Sequence, residues 1–158
     1  MEFPRLMSSC LSNSYWTDFN DRLYTCADVV RIEQSIADGN TTWRCRYFGD
    51  SPNLILTTPP SGAYHTADLY PLFDNVNQTL LASTPAEVAV GNYLREVWSS
   101  FAKNPQHGLD AFWPQYNASE KTLARTVFNN ETISLALGNM YDHVCRWAYD
   151  GVSDPAPL

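Results

Sequence analysis

At 158 residues, with 44% hydrophobic and only 17% charged side chains, the chain has the composition of one globular domain and not the balance of disorder. Its formal net charge is −7 and its basic residues form no cluster, Arg44 and Arg46 on a predicted strand coming nearest, which argues against nucleic acid as a partner. No apolar run approaches the ~20 residues that span a bilayer, so no transmembrane segment is expected.

The organisation reads as an irregular, polar segment over 1–20, a folded portion over 21–150 and a Pro-rich tail over 151–158. Asp21 to Ile36 reads as a helix with Leu23, Ala27, Val30 and Ile32 on a loose apolar face, stopped at Asp38-Gly39-Asn40. Thr41–Phe48 is β-branched and aromatic, ends at Gly49-Asp50, and is the best strand in the sequence. Asn53–Thr57 is short and apolar, and Thr58-Pro59-Pro60-Ser61-Gly62 then forces a turn. Thr84-Pro85-Ala86-Glu87 is a capping box with proline at the first helical position. Val90, Leu94, Val97, Trp98 and Phe101 follow at helical spacing, and Asn104-Pro105 ends the helix. Phe112–Tyr116 reads as an aromatic loop, Lys121–Phe128 as a short strand and Leu135–Tyr149 as a last helix. Strands need neighbours for their backbone donors and cover for their faces. One good strand with one or two weak ones reads as part of a larger layered domain.

Four glycosylation sequons are present, at Asn40, Asn77, Asn117 and Asn130. They point to extracellular ancestry. Met1–Tyr15 lacks the basic start, apolar stretch and small-residue cleavage site of a signal peptide, so the chain expressed as it stands is expected to stay in the cytoplasm. The four cysteines, at 10, 26, 45 and 145, form no Cys-x-x-Cys pair and none lies near a histidine at metal-ligand spacing. No metal or cofactor is expected. Three pairings of the four are open from sequence alone.

A serine hydrolase of the α/β type carries its nucleophile in a Gly-x-Ser-x-Gly elbow. Gly49-Asp50-Ser51-Pro52-Asn53 comes nearest, but the last glycine is Asn53 and Pro52 has no N–H to give an oxyanion. Gly151-Val152-Ser153-Asp154-Pro155 fails similarly. Of the three histidines, His107 sits in a polar turn and His143 inside the predicted last helix, and both read as structural. His65 lies in Ser61-Gly62-Ala63-Tyr64-His65-Thr66-Ala67-Asp68-Leu69, a loop between a strand region and a helical stretch. Such a loop is where these folds hold their general base.

Thr42-Trp43-Arg44-Cys45-Arg46-Tyr47-Phe48-Gly49-Asp50, then Ser61–His65, then Asp68-Leu69 with Phe73, resembles type-B carboxylesterases, especially fungal ones. That family includes the cholinesterases and some fungal lipases. The likeness continues through the Thr84-Pro85 helix, Phe101–Pro105, Trp113–Tyr116 and Phe128–Thr132, covering roughly Thr25 to Trp147. It implies the C-terminal part of an α/β-hydrolase fold, mostly helical with one to three remaining strands. It also implies a Ser–Glu–His triad of which this chain holds only the histidine. His65 falls on the catalytic histidine, Asp68 on a supporting acidic position three places later, and Cys26 and Cys145 on two positions that pair in cholinesterase-like members. Family members usually carry glycine directly after the histidine; here it is Thr66. Cys45 stands where an aromatic is common and is expected to be a buried thiol, whereas no role is assigned to Cys10.

The function implied is carboxylic-ester hydrolysis, acting on a small ester or lipid only when the missing N-terminal part is present. The chain alone is expected to be inactive, with its oligomeric state and ester specificity left open. A non-catalytic, cholinesterase-like interaction module is the alternative, and the retained imidazole argues against it.

Overall fold

A computed structural model of the chain describes residues 21–51, 53, 62–74 and 82–145. The chain divides into two compact units, Met1–Asn40 with Asn139–Leu158, and Thr41–Gly138.

In the first unit a π-helical turn, Asp21–Thr25, leads into helix α1, Cys26–Ala37. Gly39, at φ +78°, ends it in the left-handed conformation that glycine adopts without steric cost. Cys26 is the buried residue of α1, while Leu23 and Val30 of the expected apolar face stand about half exposed. Cys26 is disulfide-bonded to Cys145, with Cα atoms 5.2 Å apart.

Among the described residues the second unit holds a mixed sheet of three strands, β1 Arg44–Tyr47, β2 Lys121–Thr126 and β3 Ile133–Leu137. The order is β1-β2-β3, with β1 parallel to β2 and β3 antiparallel to it. The strand most obvious in the sequence is therefore the flanking one. β2, the weaker signal, is central, and its Thr122, Leu123, Ala124 and Thr126 are all buried. The regular part of β1 is shorter than Thr41–Phe48, although Phe48 N–H still donates to the Thr126 carbonyl at 2.9 Å.

Over Leu135–Val144 the expected last helix, Leu135–Tyr149, is not formed, whereas Cys145 is helical. Ile133–Leu137 is β3 instead, Gly138 to Val144 is turn or irregular, and 146–149 lie outside the described residues. Helix propensity in the Leu-Ala-Leu stretch is worth a few tenths of a kcal/mol per residue. Pairing with β2 outweighs it, because β2 is buried and its backbone groups need partners on both sides. His143 accordingly sits in a turn. Cys45 is exposed rather than buried, since it projects from the flanking strand.

Helix α3, Pro85–Lys103, starts at the expected capping box: Glu87 N–H donates to Thr84 Oγ1 at 3.3 Å and Thr84 N–H to Glu87 Oε2 at 2.6 Å. (Helix α2 is the short Leu69–Leu72 turn that precedes it.) The buried side of α3 is Glu87, Val90, Gly91, Leu94 and Val97, one stripe at helical spacing. Val97 packs with Leu109, Trp113 and Ala124 in the core, flanked by Trp43, Tyr93, Phe112 and Ile133. Trp98 and Phe101, expected on that stripe, are exposed. Among the described residues no helix is long and apolar enough to cross a membrane.

Candidate functional site

The parallel pairing of β1 and β2 sets their C-terminal ends side by side, Tyr47 opposite Thr126. Crevices beyond the carboxyl ends of parallel strands are where open α/β sheets place ligands. A cavity of about 480 Å³ lies there, lined by Tyr47, Phe48, Ser51, Glu87, Val127 and Asn129, among others. Ser51 is only partly exposed, and Ser61 and Pro52 of the sequence argument lie outside the described residues.

The histidine loop is built from consecutive turns. Ala67 N–H donates to the Tyr64 carbonyl at 3.0 Å, which puts His65 and Thr66 at the two central positions of a four-residue turn. Thr66 has φ +73° and His65 is not among the positive-φ residues, so the pair has the signs of a type II turn. The second central position of that turn favours glycine, and here it carries a β-branched side chain. Leu69 N–H then donates to the Thr66 carbonyl at 3.0 Å, and Ala67, 1% exposed, anchors the turn. His65 is thereby presented at the surface.

Asp68 is the residue before helix α2. Arg95, on α3, donates through Nη1 to the Pro71 and Leu72 carbonyls at 2.8 and 3.1 Å, satisfying acceptors that the end of α2 leaves open. Gly91, one turn earlier on α3, lets the two elements meet: a Cβ there would lie 2.5 Å from the Pro71 carbonyl oxygen. The loop that bears His65 is thus braced by the capped helix α3.

Tyr47 links this loop to the cavity. Its phenol is pushed up to about 12 by burial first, and then by the negative charges of Asp68 and Glu87 and the neighbouring Tyr64. Tyr64 is also raised, by burial and by Tyr70 beside it. Glu87 is itself buried, and while its Oε2 serves the capping box, its Oε1 has no hydrogen-bond partner.

Of the other residues singled out in the sequence, Asn40, Asn117 and Asn130 are exposed, whereas Asn77 lies outside the described residues. Asn117 Oδ1 accepts from Ser119 N–H at 3.0 Å and Ser119 Oγ at 3.2 Å, a local turn within its sequon. His107 contacts Asp110 at 3.1 Å in an exposed turn, apart from the histidine loop in sequence and in its bonding. Sequence reasoning missed Gly91, Arg95 and Tyr47. The signal for the first two was a glycine inside a strong helix with an arginine one turn on, since mid-helix glycine often marks a close approach.

No family model and no solved structure matches the chain. Over 120 residues it is 31% identical to the protein named Secreted lipase 5 of Gibberella zeae, a match that takes in 75% of this chain and 21% of the lipase. The chain therefore spans about a fifth of the length of the curated relative it matches. The chain, with its helices and small mixed sheet compatible with part of an α/β fold, is similar to a secreted fungal lipase, a lipase- or esterase-like relationship.

Proposed function

We propose that this chain is the histidine-bearing part of a secreted, serine-type carboxylic-ester hydrolase of the type-B carboxylesterase family. His65 is its general base and Asp68 its supporting carboxylate. In this reading the imidazole takes the proton of a serine hydroxyl as that oxygen attacks the ester carbonyl, then returns it to the departing alcohol. The serine and the triad acid come from polypeptide outside these 158 residues, which contain no Gly-x-Ser-x-Gly. The observation that carries the proposal is the left-handed backbone at Thr66, φ +73°, directly after His65. It is a shape that glycine adopts without steric cost, the residue the resembling family usually carries here, and His65 beside it is exposed on an anchored loop.

The test is a chimera in which this chain replaces the matching fifth of the Gibberella zeae lipase, assayed with 4-nitrophenyl butyrate. We expect hydrolysis, reduced by roughly a thousandfold or more on His65→Gln. Equal hydrolysis by the His65→Gln chimera would remove His65 from the mechanism. The 158-residue chain alone should give no acyl-enzyme burst, and a stoichiometric burst would show that it carries a nucleophile of its own.

A further inference from the structure

Among the described residues of the Thr41–Gly138 unit, another concavity lies between α2 and α3 and has a different character from the cavity beside Tyr47. Its volume is about 600 Å³, within the range of small-ligand sites, and Leu69, Leu72, Phe73 and Trp98 supply its walls, with Arg95 and Ser99 as the polar members. Phe73 and Trp98 are 68% and 52% exposed, a large apolar display for one stretch of surface.

Arg95 gives this groove a charged end. Its three hydrogen bonds go to the Pro71 carbonyl, the Leu72 carbonyl and Asn92 Oδ1, all neutral oxygens. A guanidinium has five N–H donors, so the Nε–H and one Nη2–H remain for another acceptor. Among the described residues no carboxylate pairs with it. The three existing bonds hold the planar group fixed at the end of α2, so its positive charge is already oriented. Carboxylates are the acceptors that match such a fork.

We infer that the α2–α3 groove binds a free long-chain fatty acid, its carboxylate on Arg95 and its alkyl chain along Leu69, Leu72, Phe73 and Trp98. An apolar trough alone would take any greasy partner. The fixed cation at its side, which no carboxylate pairs among the described residues, selects an amphiphile with one anionic head. The site involves neither His65 nor a nucleophilic serine, so it stands or falls separately from ester hydrolysis.

The experiment titrates the full 158-residue, disulfide-bonded chain with 11-(dansylamino)undecanoic acid and follows the rise in dansyl fluorescence. Saturable binding, displaced by oleate, is expected. Across octanoate to dodecanoate, competition should strengthen about two- to fourfold per methylene as each CH₂ leaves water. Methyl oleate should compete at least tenfold more weakly than oleate, because a hydrogen bond to a charged group is lost. Trp98→Ala and Phe73→Ser, both at exposed positions, should each weaken binding about tenfold with the far-UV circular dichroism unchanged. Arg95→Gln should do likewise. Because Arg95 also braces α2, the ester comparison on the unaltered chain carries the charge argument independently.

Equal competition by oleate and methyl oleate would overturn the inference, as would unchanged affinity in Trp98→Ala. So would the absence of saturable binding. Association with phosphatidylcholine–phosphatidylserine vesicles but not with monomeric fatty acid would overturn it in favour of a lipid surface. A dimer in sedimentation that oleate fails to dissociate would assign the groove to a second copy.

Discussion

Replacing Thr66 with glycine should stabilise the folded chain by roughly 0.5–1 kcal/mol, a gain at a position where nothing is added. Thr66 sits at φ +73°, where an L-residue with a Cβ costs about 1–2 kcal/mol. Glycine removes that cost but gives the unfolded chain more freedom, worth about 0.5–1 kcal/mol in the opposite direction. The difference is the expected gain. With a urea m-value of about 2 kcal/mol/M, the unfolding midpoint should rise by about 0.25–0.5 M. Gly62 is the matched control: its φ is +61° and a Cβ there meets nothing within 4 Å, so Gly62→Ala tests the dihedral alone. It should lower stability by about 1 kcal/mol. Thr66→Ala keeps the Cβ and should move the midpoint little. If Thr66→Gly is no more stable than Thr66→Ala, the residue after His65 is not under backbone strain. The case for a glycine-like turn beside His65 then fails.

Gly91→Ala should destabilise the chain by about 1–3 kcal/mol, because the new methyl meets the Pro71 carbonyl rather than a yielding side chain; urea unfolding would measure it. Reducing the Cys26–Cys145 bond, which closes a separation of 119 residues, should lower stability by up to ~5 kcal/mol on chain entropy alone, read from unfolding with and without dithiothreitol. The Tyr47 phenol is raised from 10.0 to about 12, so the folded state holds its proton longer than the unfolded state does. That contribution is complete below pH 10 and is lost as pH climbs toward 12, at up to about 1.4 kcal/mol per pH unit. Tyr93, raised to about 12 by burial, Cys45 and Glu96, adds to the same alkaline loss. Tyr47→Phe should therefore flatten the decline between pH 10 and 11, and an unchanged slope would show that its phenol does not contribute.

The parts of the fold that were legible in the sequence are those whose signals are local. A capping box is complete within four residues, and Thr84–Glu87 forms it in the structure as read. The position of a strand within a sheet is not local. Thr41–Phe48 looked dominant because aromatic and β-branched side chains advertise a strand, yet burial makes the plainer Lys121–Thr126 the centre. The stretch from Leu135 reads as helical in sequence because the pairing of Ile133–Leu137 with β2 is a contact across a turn, which a run of Leu and Ala does not display. At the site, His65 stood out through its loop and its neighbours in sequence. Arg95 did not, since an arginine that satisfies the end of a distant helix is indistinguishable, in a string of letters, from one that faces water.

The bond between Cys26 and Cys145 encloses the entire Thr41–Gly138 unit within one covalent ring. A protease that cuts once anywhere between those cysteines therefore opens the ring without liberating a fragment. The nicked molecule keeps its mass on a non-reducing gel and separates into two bands only after thiol is added. Any survey of surface cleavage in this chain must be run both ways, or the most accessible loops will pass as uncut.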